Sequence, residues 1–407
     1  MLNLAVIAFP GNNCETESLR AAQRNGFKAE LVRWNQPDKI GSFDAYFLCG
    51  GFSFEDRGRS GALAARDPIF DKLRQEAKTG KIILGICNGA QMIVESGLIP
   101  VGDNALPFSL AHNIRRNQSG QVMGTGFYNT WSHIIPERTD TAFTNKSSQP
   151  LAIPIAHGEG RFTSQDPKAQ EALNSGSHVA FRYGDKAGTI SEDYPITPNG
   201  AEFSTAAIVN AEGTIMAIMP HPERFWKNCD GDQIFQSMHT WIEDKKSPDQ
   251  VKIGDLSKTN TKPKLLPRNP EALYLEKKLL ITDNEAFSVS QVASHITGEE
   301  INFSKSKLYE ISGENLDAEK IKNSGLIFNP NKEQLIENMT PNKYYSLPFQ
   351  DDEADDLAEK LSALLGSEIH VKIYTGWDFN QPSEAARKAI LNNSLLSNPN
   401  ATQLFTT

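Results

Sequence analysis

The sequence is poor in the features that would place a protein in a membrane or on nucleic acid. Across its 407 residues, no apolar run approaches the ~20 residues that a membrane-spanning helix needs. The apolar start at 2–9 has no basic segment and leads into Pro10-Gly11-Asn12-Asn13, which is typical of a turn and not of a signal-peptide cleavage site. The net charge of −9 disfavours a general nucleic-acid-binding role. We therefore expect a globular protein that binds neither a membrane nor nucleic acid.

Cysteine is also scarce. The four cysteines stand at positions 14, 49, 87 and 229, and their spacing matches neither a metal site nor the disulfide framework of a small secreted domain. We therefore expect a reducing, cytoplasmic location and no metal site. The Gly-x-x-x-x-Gly-Lys-Ser/Thr motif of an ATP-binding loop is absent from the sequence, so no nucleotide cofactor is expected on this chain.

The length of the chain predicts two or three domains, and residues 1–245 have the pattern of the first. Short apolar runs predict strands at 4–9, 29–34, 45–48, 82–84, 152–155, 206–209 and 215–219, and amphipathic patterns predict helices at 16–25, 68–79, 91–96 and 232–244. Strands separated by helices predict an α/β fold with a mostly parallel sheet and flanking helices. Ligands of such folds gather at the carboxyl ends of the strands.

Cys87 follows one of these predicted strands and stands between Gly85 and Gly89, before a predicted helix that begins at Gln91. A nucleophile flanked by glycines at a strand-to-helix turn is the nucleophile-elbow arrangement. The helix N-terminus would stabilise a thiolate and a later oxyanion. A cysteine after an apolar run is also a common core residue, so this motif alone leaves both interpretations open.

Two more predicted strands end in residues that can support such a nucleophile. Gly50-Gly51 would present free backbone amides, although a plain glycine turn is the alternative. The segment Pro220-His221-Pro222-Glu223 is stiffened by its prolines. A histidine there could take the thiol proton while the carboxylate orients its ring, although any single histidine can equally be a surface or core residue.

Together these motifs resemble those of class I glutamine amidotransferases, which have a flavodoxin-like α/β fold. The motifs are Gly85-Ile86-Cys87-Asn88-Gly89-Ala90-Gln91, Gly50-Gly51-Phe52-Ser53 and Pro220-His221-Pro222-Glu223-Arg224. With the segments 8–14 and 154–160 added, the chain is similar, within that class, to the glutaminases of phosphoribosylformylglycinamidine synthase in purine biosynthesis. The resemblance covers about residues 1–245.

The resemblance implies a Cys-His-Glu triad in which Cys87 is the nucleophile, His221 the base and Glu223 the orienting carboxylate. It implies hydrolysis of glutamine through a Cys thioester, with ammonia passed through a channel to a synthetase subunit. That partner would use ATP and Mg²⁺ to convert formylglycinamide ribonucleotide to formylglycinamidine ribonucleotide. A glutaminase of a different amidotransferase, or a non-catalytic regulatory protein of the same fold, remains the alternative.

The resemblance also assigns the residues that hold the substrate. The amide of Asn88 and those of the Gly51-Phe52 turn, after Gly50, would bind the oxyanion, and Gln91 would support the glutamine pocket. The loop 157–160 would face the synthetase side or the ammonia channel, or serve the structure alone. One departure from the family pattern stands next to the glycine turn, where Glu55 replaces the usual small residue and is followed by Asp56-Arg57, which leaves the contacts of that loop open.

The remainder of the chain predicts a linker and a second domain. Residues 246–272 are polar and rich in Lys and Pro, as linkers are. Beyond them, 326–335 matches 395–404 around a shared Asn-Pro-Asn, 69 residues later. Both copies follow a strand–helix–strand–helix pattern, which predicts an α+β domain with two related halves at about 273–339 and 340–407. A chance pair of turns is the alternative. The domain resembles the small third subunit of the same synthase, which implies a docking role.

Overall fold

The computed structural model describes residues 1–224, 230–259, 261–336, 343–380 and 382–407. The chain divides into two compact units, Met1–Thr259 and Asn260–Thr407. Among the described residues, no helix is both long enough and apolar enough to cross a membrane.

The division falls inside the segment 246–272, which the sequence predicts as a linker, and much of that segment is ordered. Val251 and Leu256 are buried in the first unit, and the Val251 amide donates to the Lys78 carbonyl. Lys264–Leu265 forms a short strand in the sheet of the second unit. Composition predicts a linker because polar residues dominate, but a few well-placed apolar side chains are enough to hold a segment against a core.

The elements of the first unit follow one another as β1 (Asn3–Ala8), α1 (Glu15–Arg24), β2 (Lys28–Arg33), β3 (Ala45–Leu48), α2 (Pro68–Lys78), β4 (Ile82–Ile86), α3 (Asn88–Ser96), β5 (Ser109–His112), β6 (Ile114–Arg116), β7 (Val122–Thr125), β8 (Tyr128–Pro136), β9 (Leu151–His157), β10 (Glu159–Thr163), α4 (Pro167–Asn174), β11 (Val179–Gly184), β12 (Thr205–Val209), β13 (Ile215–Ile218) and α5 (Asp232–Glu243). The main sheet has the order β2-β1-β3-β4-β13-β12-β11-β8-β9. Parallel pairing joins β2 through β13, and the last four strands continue the sheet in antiparallel fashion. The predicted α/β class with flanking helices is confirmed.

The central parallel strands of the main sheet are fully buried. All residues of β3, β4 and β13 are buried, as expected for parallel strands covered on both faces. Helix α2 begins where the Asp67 carboxylate accepts from the Ile69 amide and Pro68 stands at the first helical position. Because β4 lies between β3 and β13, the chain segments that follow these three strands meet at one edge of the sheet.

The second unit repeats one order of elements twice. After β14 (Lys264–Leu265), these are β15 (Leu273–Leu279), α6 (Asn284–Thr297), β16 (Phe303–Gly313), α7 (Ala318–Asn323), β17 (Glu333–Ile336), β18 (Tyr344–Pro348), α8 (Asp352–Leu365), β19 (Ile369–Phe379), α9 (Glu384–Asn392) and β20 (Thr402–Thr406). The sheet order β14-β20-β18-β19-β16-β15-β17 places the two halves on either side of the long β16–β19 pair. The predicted α+β repeat is therefore present as a pseudo-twofold sheet. The predicted boundary between its halves, at 339 and 340, lies outside the described residues.

Candidate active site

Cys87 occupies a strained turn between β4 and α3. Its backbone has φ of +52° and ψ of −109°, a region that residues other than glycine rarely adopt and that often marks a functional site. A Cβ on Gly85 would overlap the carbonyl oxygen of Gly89, and a Cβ on Gly89 would overlap that of Leu48. The two glycines therefore let the helix approach the strands closely enough to form the turn.

His221 and Glu223 form a buried pair immediately after β13. The Nδ1 atom of His221 lies 2.6 Å from Oε1 of Glu223, and the two side chains are 1% and 0% exposed. The His221 amide donates to the Pro154 carbonyl at 2.8 Å, which anchors the segment to β9. Since the carboxylate accepts from Nδ1, the opposite nitrogen, Nε2, is left to face the cavity.

The Gly50 position shows how close His221 lies to Cys87. An ideal Cβ on Gly50 would lie 3.3 Å from Cε1 of His221 and 3.5 Å from Cβ of Cys87. Because Gly50 has no side chain, the side chains of His221 and Cys87 can both lie next to it. The structure brings together the three residues that the sequence predicts as a triad.

The charge of the pair favours a protonated imidazole. Burial would lower the pKa of His221, but the carboxylate of Glu223 and the neighbouring Cys87 outweigh it and raise the pKa to about 10. A protonated His221 beside the sulfur of Cys87 stabilises negative charge there. The site therefore has the charge arrangement that a thiolate nucleophile requires.

The structure differs from the sequence-based expectation for the oxyanion donors at Phe52. Its amide already donates to the Gly11 carbonyl at 3.0 Å, because the turn after β1 forms an antiparallel bridge between Asn12 and Gly51. The amide of Gly51 has no hydrogen-bond partner among the described residues. Asn88 stands at the first position of α3, where an amide has no acceptor within the helix. Gly51 and Asn88 are thus the available donors of the predicted set.

The side chains of Asn88 and Gln91 connect the walls of the site. Asn88 accepts from the Ser53 amide at 2.9 Å and donates to Oε1 of Gln91 at 2.8 Å. Gln91 donates in turn to the Glu159 carbonyl at 2.7 Å. A hydrogen-bonded chain therefore joins the loop after β3, the helix after Cys87 and the start of β10.

These residues enclose a cavity of about 390 Å³, large enough for an amino acid. Its lining consists of Asn13, Cys14, Gly51, Phe52, Asp56, Ser60, Cys87, Gln91, His112, Gly126, Phe127, Ala156, His157, Gly158, Glu159, His221 and Arg224. The cavity brings together predicted residues from all three strand ends, whereas Gly50, Asn88 and Glu223 stand behind its lining. It also includes residues 157–159 of the predicted loop.

Asp56 is a cavity residue to which the sequence assigned no role. Burial and the nearby carboxylate of Glu159 raise its pKa to about 7. Phe54, Glu55 and Asp56 have φ of +51°, +58° and +53°, a strained run that brings the Asp56 side chain to the cavity. Glu55, the departure from the family pattern, is exposed and pairs with Arg57 at 2.8 Å, so it does not occupy the site. The feature of the sequence that could have identified Asp56 as a cavity residue is its position soon after the glycine turn.

One group of side chains could also hold a metal ion. Cys14, Glu17, His221 and Glu223 each place a potential ligand atom within 4.8 Å of the others. Nε of Arg224 lies 3.4 Å from the Glu17 carboxylate, and a guanidinium there opposes a cation. The structure thus favours the ion pair of His221 and Glu223 over a metal centre.

Comparisons with known proteins identify the family of the first unit. The family described as "CobB/CobQ-like glutamine amidotransferase domain" matches residues 1–250. The chain is 38% identical to "Phosphoribosylformylglycinamidine synthase subunit PurQ" of Methanothrix thermoacetophila, with 60% of this chain and 100% of the relative covered. It is 36% identical to the protein of that name from Pyrococcus furiosus, with 60% and 99% covered.

Among solved structures, a chain of "Structure of PurLQS from Thermotoga maritima" is 31% identical, with 60% of this chain and 100% of that chain covered and a TM-score of 0.46. The family match spans more than half of this chain, and the curated relatives are covered over essentially their full length. This chain therefore belongs to the glutamine amidotransferase family that carries the CobB/CobQ-like domain.

Proposed function

We propose that this chain is the glutaminase component of phosphoribosylformylglycinamidine synthase. It hydrolyses glutamine and passes the ammonia to an ATP-dependent synthetase subunit. The observation that carries the proposal is the buried pair of His221 and Glu223, 2.6 Å apart, beside Cys87 at its strained turn. The choice of this synthase over other amidotransferases is based on the names of the curated relatives.

Glutamine binds in the cavity as an amino acid with one ammonium and one carboxylate group. The carboxylates of Asp56 and Glu159 are suited to its α-ammonium, and Arg224 to its α-carboxylate, since all three line the cavity. Gln91 holds the wall of the pocket through its bond to the Glu159 carbonyl. The side-chain amide of glutamine then lies over Cys87.

The thiolate of Cys87 attacks the amide carbon and forms a tetrahedral intermediate. The amides of Asn88 and Gly51 hold the oxyanion, and each such donor contributes on the order of 3 kcal/mol in comparable sites. His221 gives its Nε2 proton to the departing nitrogen, and ammonia leaves. Water activated by His221 then hydrolyses the thioester and releases glutamate.

Ammonia is useful only if it reaches the synthetase before it is protonated or lost to water. The synthetase subunit binds ATP and Mg²⁺, and this chain binds neither. We assign to the second unit, Asn260–Thr407, the task of docking the glutaminase on that subunit. The complex is cytoplasmic, where the thiol of Cys87 stays reduced.

The test replaces the nucleophile in the assembled complex. We expect Cys87→Ala to abolish formation of the amidine from glutamine and to leave the reaction with added ammonium salt intact. Cys49→Ala is the control, because this buried cysteine lies outside the cavity lining. Glutamine-dependent activity in the Cys87→Ala complex would refute the proposal.

A further inference from the structure

His157, at the end of β9, is a buried histidine of the cavity wall that the triad does not use. It is 3% exposed. Its neighbour Ala156 places its carbonyl oxygen 3.8 Å from Sγ of Cys87. The imidazole is packed against Gly160, where a Cβ would overlap Nδ1, so the ring position depends on that glycine.

The hydrogen bonds of Asn113 determine which nitrogen of His157 carries the proton. Oδ1 of Asn113 accepts from the Gly160 amide at 3.0 Å, so its Nδ2 is the atom that faces His157. That Nδ2 donates to the carbonyls of His157 at 2.7 Å and Gly126 at 3.2 Å, and it lies 3.2 Å from the ring Nδ1 of His157. Because an amide nitrogen cannot accept a hydrogen bond, a proton on Nδ1 would have no acceptor there, which places the ring proton on Nε2.

The ring of His157 remains neutral. Burial and the positive charge of His221 lower its pKa to about 3. Its Nε2 is buried and has no hydrogen-bond partner among the described residues. His157 thus gives the wall of the cavity a buried N–H donor that has no partner among the described residues and that a polar group of a ligand can satisfy.

His221 is the charged group that acts on His157, and its own Nε2 is likewise buried and unpartnered. Both rings line the cavity. We propose that Nε2–H of His157 holds the departing ammonia by donating a hydrogen bond to the lone pair of the ammonia nitrogen. This role rests on the proposed function. His157 is then a positioning residue for ammonia transfer.

The chemistry of ammonia explains why a neutral imidazole suits this position. When the tetrahedral intermediate collapses, the C–N bond breaks, its electron pair remains on nitrogen, and the proton from His221 completes NH₃. Ammonia needs a donor for its lone pair in a site that excludes water. A charged imidazolium would protonate it to ammonium, which cannot attack an acceptor. A neutral Nε2–H binds the lone pair and transfers no proton.

The test measures coupling in the full complex with the synthetase. His157→Leu removes the donor at similar volume, His157→Gln keeps an N–H donor, and His133→Gln on β8 is the control outside the cavity lining. The readouts are glutamate formed, amidine formed, and free ammonia in solution. A net hydrogen bond of about 1 kcal/mol corresponds to roughly a fivefold effect. We expect His157→Leu to lower the ratio of amidine to glutamate several-fold and to release ammonia, and His157→Gln to restore most of the ratio.

Each outcome bears on the inference. An unchanged ratio in His157→Leu, an equal fall in His157→Gln, or loss of glutamate formation in a folded His157→Leu would overturn it. If circular dichroism finds His157→Leu unfolded, His157→Phe takes its place, because it keeps an aromatic ring without the N–H. Failure of the proposed function is distinct, since the unmodified complex would then form no glutamate.

Discussion

At the scale of single residues, two buried histidines in one cavity have different charge states: His221 is protonated and His157 is neutral. Glu223 holds a proton on His221, whereas burial and the positive charge of His221 leave His157 neutral. Their pKa values lie at about 10 and about 3. A site that gives a proton to the leaving group and then keeps ammonia unprotonated needs this separation of pKa values, which comes from the Glu223 carboxylate beside one ring and its absence beside the other.

Asp56 provides a test of substrate recognition. We expect Asp56→Asn to raise the KM for glutamine about tenfold with a smaller change in kcat, because a neutral amide loses a charge-assisted bond to the α-ammonium. Steady-state kinetics of glutamate formation gives both constants. Glu55→Gln is the control on the same loop, since Glu55 is exposed and paired with Arg57. An unchanged KM in Asp56→Asn would remove this residue from the binding site.

His157 also predicts a loss of stability in acid. Its pKa is about 3 in the folded chain and near 6.5 when exposed, so between these values the unfolded state binds a proton that the folded state does not. One such proton makes unfolding easier by roughly 1.4 kcal/mol per pH unit as the pH falls. Urea unfolding at pH 4 to 7 should therefore have a shallower pH dependence in His157→Gln. If the free energy of unfolding had the same pH dependence in the unmodified chain and in His157→Gln, a buried neutral His157 would be contradicted.

At the scale of elements, the turn at Cys87 depends on close packing between α3 and the strands. We expect Gly89→Ala to destabilise the first unit by about 1–3 kcal/mol, because its Cβ would overlap the carbonyl oxygen of Leu48. Gly158→Ala is the control, since its nearest heavy atom would lie 3.6 Å from the added Cβ. Chemical unfolding measures both. Equal stability of the two variants would mean that α3 shifts without cost.

The sequence predicts all five strands of the parallel half of the main sheet, but of the antiparallel half it predicts β9 and β12 and misses β8 and β11. Strands β3, β4 and β13 are short apolar runs, buried throughout, and each leads directly into a site motif. Strand β8 has only two buried residues, Ser132 and Ile134, and β11 contains the charged Arg182. That guanidinium is buried and donates to the backbone carbonyls of Leu173 and Phe203, which belong to neighbouring elements of the fold. No pattern within the strand itself indicates these partners.

The site follows the same division between local and long-range information. Cys87, His221 and Glu223 were predictable because each stands in a short motif at a strand end. The role of Phe52 was not, because its amide is taken by Gly11, about forty residues away in the chain. The tautomer of His157 depends on Asn113, again a long-range contact. The residue types of the site can therefore be predicted from the sequence, whereas the hydrogen-bond partners of their polar atoms depend on the folded structure.

At the scale of the whole molecule, the second unit is a pseudo-twofold sheet built from a repeat that the sequence already contains. Its halves pair along the full length of β16 and β19, eleven residues each. Each half supplies one strand of this central pair, so neither has a complete sheet without the other. This arrangement explains why the two copies occur in tandem, and it favours one cooperative unit over two independent domains.

The division of the chain predicts where it can be cut. A chain ending at Thr259 keeps Val251 and Leu256 in the first unit, whereas a chain ending at Lys246 loses both. Burial of one such side chain contributes about 1.5–3 kcal/mol, so we expect 1–246 to unfold at a clearly lower temperature than 1–259. Calorimetry should place the transition of 1–259 at that of the first unit in the full chain. Equal transitions for the two truncated chains would show that the 247–259 segment contributes nothing.

The same pair of chains separates stability from docking. If the second unit docks the glutaminase, 1–259 should fold normally and yet bind the synthetase several-fold more weakly than the full chain. A loss of binding in 1–246 alone would have no such meaning, because that chain lacks part of its own core. Co-purification and sedimentation with the synthetase measure the difference. Equal association of 1–259 and the full chain would remove the docking role from the second unit and leave the interface to the glutaminase itself.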